Sequence, residues 1–190
     1  MPYLLNASSF IADTVLGLYL IAVILRFLFQ TLHVDFRNPV SQLVVALTNP
    51  PLKWLRRYIP GLYGIDLSSV VLMLVVGVAK TATLLLISGI PFSFAGSLVL
   101  SVAEVINITT WILIIVILVS AILSWVAPRN YNPVFRLVGE MSNPVLRPFR
   151  SILPAFGGLD LTPVLALLVL NLVQRLIVLP INDFGRSLFL

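Results

Sequence analysis

Residues 38–70 read NPVSQLVVALTNPPLKWLRRYIPGLYGIDLSSV, and residues 132–164 repeat the pattern as NPVFRLVGEMSNPVLRPFRSILPAFGGLDLTPV at a constant offset of 94, without a gap. The residues that are identical in the two copies are mainly of types that determine backbone geometry or carry charge. If the repeat served packing alone, the two copies would be expected to share mainly bulky apolar residues. The identical residues include Asn38/Asn132, Pro39/Pro133, Asn49/Asn143, Pro50/Pro144, Arg56/Arg150, Pro60/Pro154, Gly64/Gly158 and Asp66/Asp160. We therefore predict two repeats, residues 1–94 and 95–190, with function concentrated in the duplicated segment.

The composition predicts an integral membrane protein. The chain is 59% hydrophobic and 10% charged, with a mean hydropathy of +1.09, which is far more apolar than soluble domains are. Because no alternating strand pattern is visible, we expect an all-α fold of four transmembrane helices. The stretches long enough to cross ~30 Å of hydrocarbon are Phe10–Leu32, Leu67–Ile90, Glu104–Ala127 and Leu161–Ile181. Residues 91–103 are compatible with a loop, an outer interfacial helix or an extension of the third span.

The positions of the cations predict the topology. Eight of the 12 Lys and Arg residues lie in or beside the duplicated segments: Arg37, Lys53, Arg56, Arg57, Arg129, Arg136, Arg147 and Arg150. By the positive-inside rule both segments face the cytoplasm and both termini face outward, so the two repeats share one orientation. The first span lacks a basic flank and a small-residue cleavage pattern, and we expect it to be retained rather than removed as a signal peptide.

Each duplicated segment is predicted to form an amphipathic, interfacial helical hairpin. The first Asn-Pro pair of each copy, Asn38-Pro39 in the first, suits an N-cap followed by the first helical position. The second pair, Asn49-Pro50 in the first copy, is predicted to end that helix and begin another. The later proline and glycine of each copy allow a turn back toward the bilayer. An apolar stripe at helical spacing is formed by Val40, Leu43, Val44 and Leu47, with a counterpart in the second copy.

An aspartate precedes the next span in each copy, Asp66 in the first and Asp160 in the second. Negative charge is favourable at the N-terminus of a helix, because the helix dipole is positive there. We interpret both aspartates as helix caps in preference to ion or ligand sites.

The last part of each hairpin is basic and aromatic. It contains Lys53, Trp54, Arg56 and Arg57 in the first copy, and Arg147, Phe149 and Arg150 in the second. Aromatic side chains suit the headgroup boundary, while Lys and Arg extend toward anionic lipid at about 1 kcal/mol per residue near the surface. We predict that these residues bind the cytoplasmic leaflet or a partner protein. Nucleic acid is not expected, because base-stacking aromatics on a sheet or groove helix are missing.

The doubled pattern NPxxxLVxxxxNPxLxxxRxxxPxxxGxDL between two pairs of spans resembles the YggT family of small bacterial membrane proteins, called YlmG-like in plastids. The resemblance covers essentially the whole chain and implies a multi-pass protein of the bacterial inner membrane. It implies no enzymatic reaction; family members are linked to osmotic stress tolerance, to cell or plastid division and to cytochrome assembly. The two copies differ at Trp54/Pro148 and Arg57/Ser151, so their functions need not be the same.

Five charged residues lie within or at the ends of the spans: Asp13, Arg26, Lys80, Glu104 and Arg175. An unpaired charge there costs at least ~2.5–3.5 kcal/mol at the membrane centre. The repeat spacing suggests the pairs Asp13–Lys80 and Glu104–Arg175, or the same groups crossed between repeats. Arg26 lies nearer the cytoplasmic end and either reaches the capping aspartate of its repeat or extends to the surface. We interpret these charges as salt bridges that hold the bundle, with a polar pathway for ions or protons as the alternative.

The chain lacks the residues of familiar enzyme chemistry. It has no Cys and a single His, His33, and it contains no Walker loop, G-x-S-x-G, H-E-x-x-H or CxxC. We expect no enzymatic activity, no cofactor and no metal. The predicted function is a membrane adaptor or assembly factor whose basic hairpins hold anionic lipid and position a membrane protein partner or a second copy. The alternative is a small oligomeric ion channel or transporter that uses the intramembrane charges.

Overall fold

The computed structural model describes residues 2–62, 64–126, 132–152 and 160–189, which form seven α-helices and one π-helical segment. In chain order the helices are α1 (Pro2–Thr31), α2 (Pro39–Leu55), α3 (Leu67–Ser88), α4 (Phe94–Val126), α5 (Pro133–Arg150), α6 (Thr162–Val173) and α7 (Leu179–Ser187). The π-helical residues Gln174–Val178 join α6 to α7 without a break. The all-α prediction is confirmed for the described part of the chain.

Four helical stretches are long and apolar enough to cross a membrane, as predicted. They are Tyr3–Thr31, Leu67–Ser88, Phe94–Ser124 and Thr162–Ser187. The third stretch begins earlier than expected, so the open question about residues 91–103 is settled in favour of an extension of the third span from Phe94. Gly89, with a φ of 71°, ends α3 in the left-handed conformation that glycine adopts without strain. The chain is therefore a multi-pass membrane protein.

Both halves of the chain pack in the same way. α1 packs along α3, and α4 packs along α6 and α7, while α2 rests on α1 and α3 just as α5 rests on α4 and α6. The two halves meet where α3 packs along α4. The chain connections place α2 and α5 together at one end of the bundle, which we call the basic end, and both chain termini at the other, which we call the terminal end.

Small residues bring the two halves together. A Cβ atom at Gly77 of α3 would lie 2.9 Å from the Cβ and hydroxyl oxygen of Ser101 of α4, and Ser97 and Ser101 are fully buried. Lipid tails are as apolar as leucine, so spans associate through close packing and polar contacts rather than through hydrophobic burial. The α3–α4 contact has this character, and we call it the internal joint.

α2 and α5 are each a single helix, which corrects the predicted two-helix hairpin. α2 continues through Asn49 and Pro50, and α5 continues in the same way through Asn143 and Pro144. These four residues lie on exposed faces. A proline is tolerated there because the carbonyl that loses its N–H partner can be hydrated, and the ring does not press on a packed neighbour. The predicted helix ends at these Asn-Pro pairs are therefore wrong.

The buried face of α2 also differs from the predicted apolar stripe. Val44, Thr48 and Leu52 are buried, whereas Leu43 and Leu47 are exposed. The hydroxyl of Thr48 donates to the backbone oxygen of Val44 at 2.7 Å, so its polar group is satisfied within the helix. A search for apolar periodicity misses such a face, because small hydroxyl residues pack well between membrane helices.

The turn between α2 and α3 follows the sequence prediction. Gly64 has a φ of 81°, a value that costs glycine little because it has no Cβ. Leu62 and Ile65 exchange backbone hydrogen bonds of 3.0 and 2.9 Å on either side of it. The matching Pro154 and Gly158 of the second copy lie outside the described residues.

Candidate functional site at the basic end

The N-termini of α2 and α5 lie side by side at the basic end. Asn38 and Asn132 are N-caps, as predicted: each side chain accepts a hydrogen bond of 2.9 Å from the backbone N–H two residues later. Pro39 and Pro133 follow as the first helical residues. The side-chain amide of Asn38 also donates to the carbonyl oxygen of Pro133. The cap of one repeat thus binds the start of the equivalent helix in the other.

An ion-pair network reinforces this contact. Arg136 lies 2.7 Å from Glu140 and 3.6 Å from Asp35, and Glu140 accepts a hydrogen bond of 2.9 Å from the backbone N–H of Asp35. Sequence reasoning named Arg136 only as one of the cations and missed its two acidic partners. The i,i+4 spacing of Arg136 and Glu140 was an available signal for their pairing, but nothing local relates Asp35 to either. Because Arg136 is exposed, these ion pairs add little to the free energy of unfolding. Their main effect is to fix the orientation of α2 relative to α5.

The C-terminus of α2 is tied to the start of α3 by a partly buried ion pair. Arg56 donates to Asp66 through Nη2 and, at 3.2 Å, through Nε, and the side chain of Asp66 is only 5% exposed. The hydroxyl of Ser69 donates to the same carboxylate at 2.7 Å. Burial alone raises the pKa of Asp66, but the hydrogen bonds from Arg56 and Ser69 outweigh it and hold that pKa below its usual value. Asp66 therefore stays ionised and anchors α2.

The second repeat carries a looser version of this contact. Nε of Arg150 lies 3.8 Å from Asp160, and both side chains are about half exposed. The backbone N–H of Thr162 donates to Asp160 at 2.9 Å, so Asp160 caps the start of α6, and hydrogen bonding from Thr162 lowers the pKa of Asp160. Arg150 also lies 3.3 Å from the side-chain oxygen of Asn143. Equivalent residues thus occupy equivalent positions, with the stronger ion pair in the first repeat.

The exposed side of α2 and of the turn after it carries cations and aromatic rings. The side chains of Trp54 and Tyr58 are 64% and 65% exposed, and their rings pack edge to face with centroids 5.3 Å apart. Lys53 and Arg57 are exposed beside them. We call the following set the outer face of α2: Leu43, Leu47, Lys53, Trp54, Arg57 and Tyr58.

The corresponding part of α5 is less suited to a membrane surface. Arg147 and Arg150 are exposed, but Phe149 packs against the buried Leu146 and Ala166. Phe149 is thus partly buried, and its binding to the membrane or a partner stays a prediction. The spacing of residues in α5 could not reveal which of its sides meets α4 and α6.

Arg26 lies in a cavity of about 440 Å³ that Arg56, Pro60 and Asp66 also line. Its guanidinium carbon lies 4.8 Å from the centroid of the Phe36 ring, a cation–π contact. Among the described residues Arg26 forms no ion pair with Asp66, and its buried Nε has no hydrogen-bond partner. The carboxylate of Asp66, which the sequence suggested as a partner for Arg26, is paired with Arg56 instead.

A second cavity, of about 670 Å³, opens between the end of α1 and α5. Its lining includes His33, Glu140, Asn143, Arg147 and Arg150. Two guanidinium groups face one carboxylate there, so the lining is cationic and suits an anionic group such as a phosphate or carboxylate.

Within the spans, two carboxylates share one ammonium group. Nζ of Lys80 lies 2.9 Å from Asp13 and also contacts Glu104. The predicted Asp13–Lys80 pair is confirmed, and Glu104 makes the crossed pair between repeats, so the pairing of Glu104 with Arg175 is wrong. Arg175 is exposed in the π-helical segment.

The second repeat replaces this charge pair with neutral amides. At the 94-residue offset Asn107 corresponds to Asp13, and Gln174 corresponds to Lys80. The side chain of Gln174 donates to the backbone oxygen of Asn107 at 3.2 Å. The same two positions therefore join the paired spans in each repeat, by an ion pair in the first and by a neutral hydrogen bond in the second.

These features define a class of protein: a helical, multi-pass membrane protein built from a duplicated unit of span, shorter helix and span. In the parts of the chain that the structure describes, no group of three or more His, Cys, Asp or Glu side chains could hold a metal ion. The chain belongs to the CCB3/YggT family, whose pattern matches residues 5–87 and again residues 99–181. The two matches are related by the same offset of 94 as the internal repeat.

Relatives in several bacteria resemble the chain along most of its length. An uncharacterized protein of Pseudomonas aeruginosa is 40% identical over 177 residues, covering 91% of this chain and 89% of its own. The uncharacterized protein YggT of Escherichia coli is 33% identical over 171 residues, covering 90% and 88%. A Vibrio alginolyticus protein is 38% identical over 161 residues, covering 83% and 86%. No solved structure matches the chain.

Proposed function

We propose that this protein is a non-enzymatic adaptor of the bacterial inner membrane, which holds the cytoplasmic leaflet with the outer face of α2 and presents α2 and α5 to a partner protein. In this proposal the basic end faces the cytoplasm, both termini face outward and the two repeats share one orientation, in line with the excess of cations at the basic end. The observation that carries the proposal is the outer face of α2, where leucines, aromatic rings packed edge to face and cations are exposed together.

The chemistry of the outer face suits the boundary between lipid headgroups and acyl chains. Trp54 and Tyr58 offer apolar rings with a polar edge, the combination that is enriched at membrane interfaces. Lys53 and Arg57 extend toward anionic headgroups, at about 1 kcal/mol for each cation near the surface. The leucines of the outer face add apolar contact with the acyl chains.

The attachment of α2 to the spans favours a positioning role. The partly buried ion pair between Arg56 and Asp66 fixes its C-terminal end, and the contact between Asn38 and Pro133 fixes its N-terminal end against α5. A reversibly bound amphipathic helix needs freedom to leave the surface, whereas α2 is held at both ends. A platform of this kind keeps a bound partner at a set distance from the spans.

We expect Trp54 to report contact with anionic lipid. The chain has three tryptophans, so Trp111→Phe/Trp125→Phe leaves Trp54 as the sole indole. Quenching of its fluorescence by brominated phosphatidylglycerol should exceed quenching by brominated phosphatidylcholine about twofold, because the neighbouring cations enrich anionic lipid near the ring. Nanodiscs of matched bromine content give the measurement.

Two further variants separate this contact from a general charge effect. Lys53→Gln/Arg57→Gln should abolish the preference for phosphatidylglycerol, whereas Arg186→Gln, which removes a cation near the terminal end, should preserve it. Equal quenching by the two lipids in the protein with the native cations would refute the lipid contact.

One observation favours the alternative function, an ion channel or transporter. A cavity of about 340 Å³ in the half of the bundle near the terminal end is lined by Asp13, Lys80 and Glu104 together with Asn182 and Arg186. Toward the basic end, however, α3 buries the apolar Met73 and Val76, which do not favour an ion pathway.

We therefore expect proteoliposomes containing the purified protein to show the same potassium, sodium and proton leak as empty liposomes. Fluorescent ion indicators trapped inside the vesicles provide the readout, and a known ionophore added at the end confirms that the dyes respond. Selective flux that disappears in Lys80→Met would replace the adaptor with the transporter.

A further inference from the structure

The internal joint uses two helix faces whose equivalent positions in the other repeat are uncovered at the edges of the bundle. Gly77 of α3 and Ser101 of α4 are buried against each other at the joint. At the 94-residue offset their equivalents are Asn171 of α6 and Ala7 of α1, and both are exposed. α1 and α6 thus carry, uncovered, the positions by which α4 and α3 meet, but Asn171 stands where the joint has Gly77, so these faces pack less closely than the joint does.

Arg175 gives one of these uncovered edges an unpaired charge. It lies near the middle of the span Thr162–Ser187, roughly 18–20 Å from either end at ~1.5 Å per residue, farther than an arginine side chain extends. All seven acidic side chains of the sequence lie in the described residues, and none of them forms an ion pair with Arg175. A lipid-facing guanidinium at this depth is costly without a carboxylate partner.

The opposite edge carries the complementary charge. Asp13 on α1 shares the single ammonium of Lys80 with Glu104. Arg186 lines the same cavity but forms no ion pair with either acid among the described residues, so the ion-paired cluster itself holds two acids and one base. The side chain of Asp13 is 55% exposed. One edge of the bundle therefore lacks an anion, and the other has one partly free.

We propose that the chain associates head to tail with a second copy of itself, with α6 and the π-helical segment of one copy packing on α1 of the next in the same register as α3 on α4, at a wider separation that accommodates Asn171. At the internal joint Thr81 and Asn107 line the same cavity. Their equivalents at the 94-residue offset are Arg175 and Asp13. Repeating the joint between two copies thus places the unpaired guanidinium beside the partly free carboxylate, so charge complementarity selects this occupant.

Such an interface is heterologous, because it joins two different faces. Each added copy leaves one free edge of each kind, so the assembly closes into a ring if the rotation between copies permits and otherwise extends as a row. The inference rests on the spans alone and does not depend on the lipid contact of α2.

The absence of native cysteines permits a direct test by disulfide crosslinking in membranes. Ala7→Cys in one tagged chain and Asn171→Cys in a second, differently tagged chain occupy the positions equivalent to Ser101 and Gly77. Co-expression and mild oxidation should give a crosslinked species that carries both tags. Adding Arg175→Gln to the Asn171→Cys chain should lower its yield on the order of tenfold, corresponding to about 1.4 kcal/mol.

The matched control is Leu5→Cys in place of Ala7→Cys, because Leu5 is exposed at nearly the same depth on another side of α1. It should give little crosslink with Asn171→Cys. Crosslinks of Ala7→Cys or Asn171→Cys chains with themselves alone would indicate a twofold interface and overturn the proposal. Failure to form any crosslink, or an unchanged yield with Arg175→Gln, would overturn it as well.

Discussion

Lys80→Met is expected to lower the free energy of unfolding by about 2–4 kcal/mol, because it leaves Asp13 and Glu104 without a counterion inside the bundle. Breaking a fully buried pair costs ~3–5 kcal/mol, and the partial exposure of Asp13 reduces the loss. The side chain of Lys80 itself is 10% exposed. Reversible denaturation in mixed detergent micelles, followed by circular dichroism, measures the change.

The repeat supplies a matched control for this variant. Gln174→Met alters the equivalent position of the second repeat and removes only a neutral hydrogen bond to Asn107, worth about 1 kcal/mol. Adding Glu104→Gln to Lys80→Met should restore part of the lost stability, because it removes one of the two unpaired carboxylates. Equal losses from Lys80→Met and Gln174→Met would show that the charge cluster contributes nothing beyond packing.

Asp66→Asn should have the second-largest effect, a loss of about 2–3 kcal/mol, because it leaves Arg56 without its carboxylate in a partly buried contact. Asp160→Asn removes the equivalent group from a half-exposed pair whose closest atoms are 3.8 Å apart, and its cost should stay below about 1 kcal/mol. Thermal unfolding of both variants in the same detergent provides the comparison. If the two substitutions cost the same, the difference in burial between the two ion pairs has no energetic consequence.

The lowered pKa of Asp66 also predicts a pH dependence. A carboxylate whose pKa falls on folding contributes stability in full above its unfolded-state pKa of about 4. That contribution is lost as the pH falls through the lower pKa of the folded state. The wild-type protein should therefore lose stability as the pH is lowered below about 4, and Asp66→Asn should lose less over the same interval. A parallel decline in both proteins would assign the acid sensitivity to other groups.

The features predicted correctly are those that depend on local sequence. Asn38 and Asn132 act as caps because an Asn-Pro pair satisfies the start of a helix wherever it lies. The spans follow from length and apolar composition. The pairing of Asp13 with Lys80 followed from two residues at similar depth in successive spans, a relation that the repeat made visible.

The failures depend on which side of a helix meets its neighbours. Pro50 and Pro144 stay within helices because they lie on exposed faces, a condition that their sequence neighbours do not reveal. Leu43 and Val44 are adjacent in the predicted apolar stripe, yet Val44 is buried while Leu43 is exposed. Glu104 pairs with Lys80 rather than with Arg175 because α3 and α4 lie close together. This close approach is visible only in the packing at Gly77.

The contrast between an ion pair in one half and an amide contact in the other bears on why the halves are fused. If two separate half-length chains associated as identical subunits, any ionisable residue in one would appear in its mate, and each would need its own counterion in the bilayer. A covalent link removes this obligation, since a substitution then changes one half alone. Fusion thus permits a membrane protein to carry a single polar centre on one side of an otherwise symmetrical scaffold.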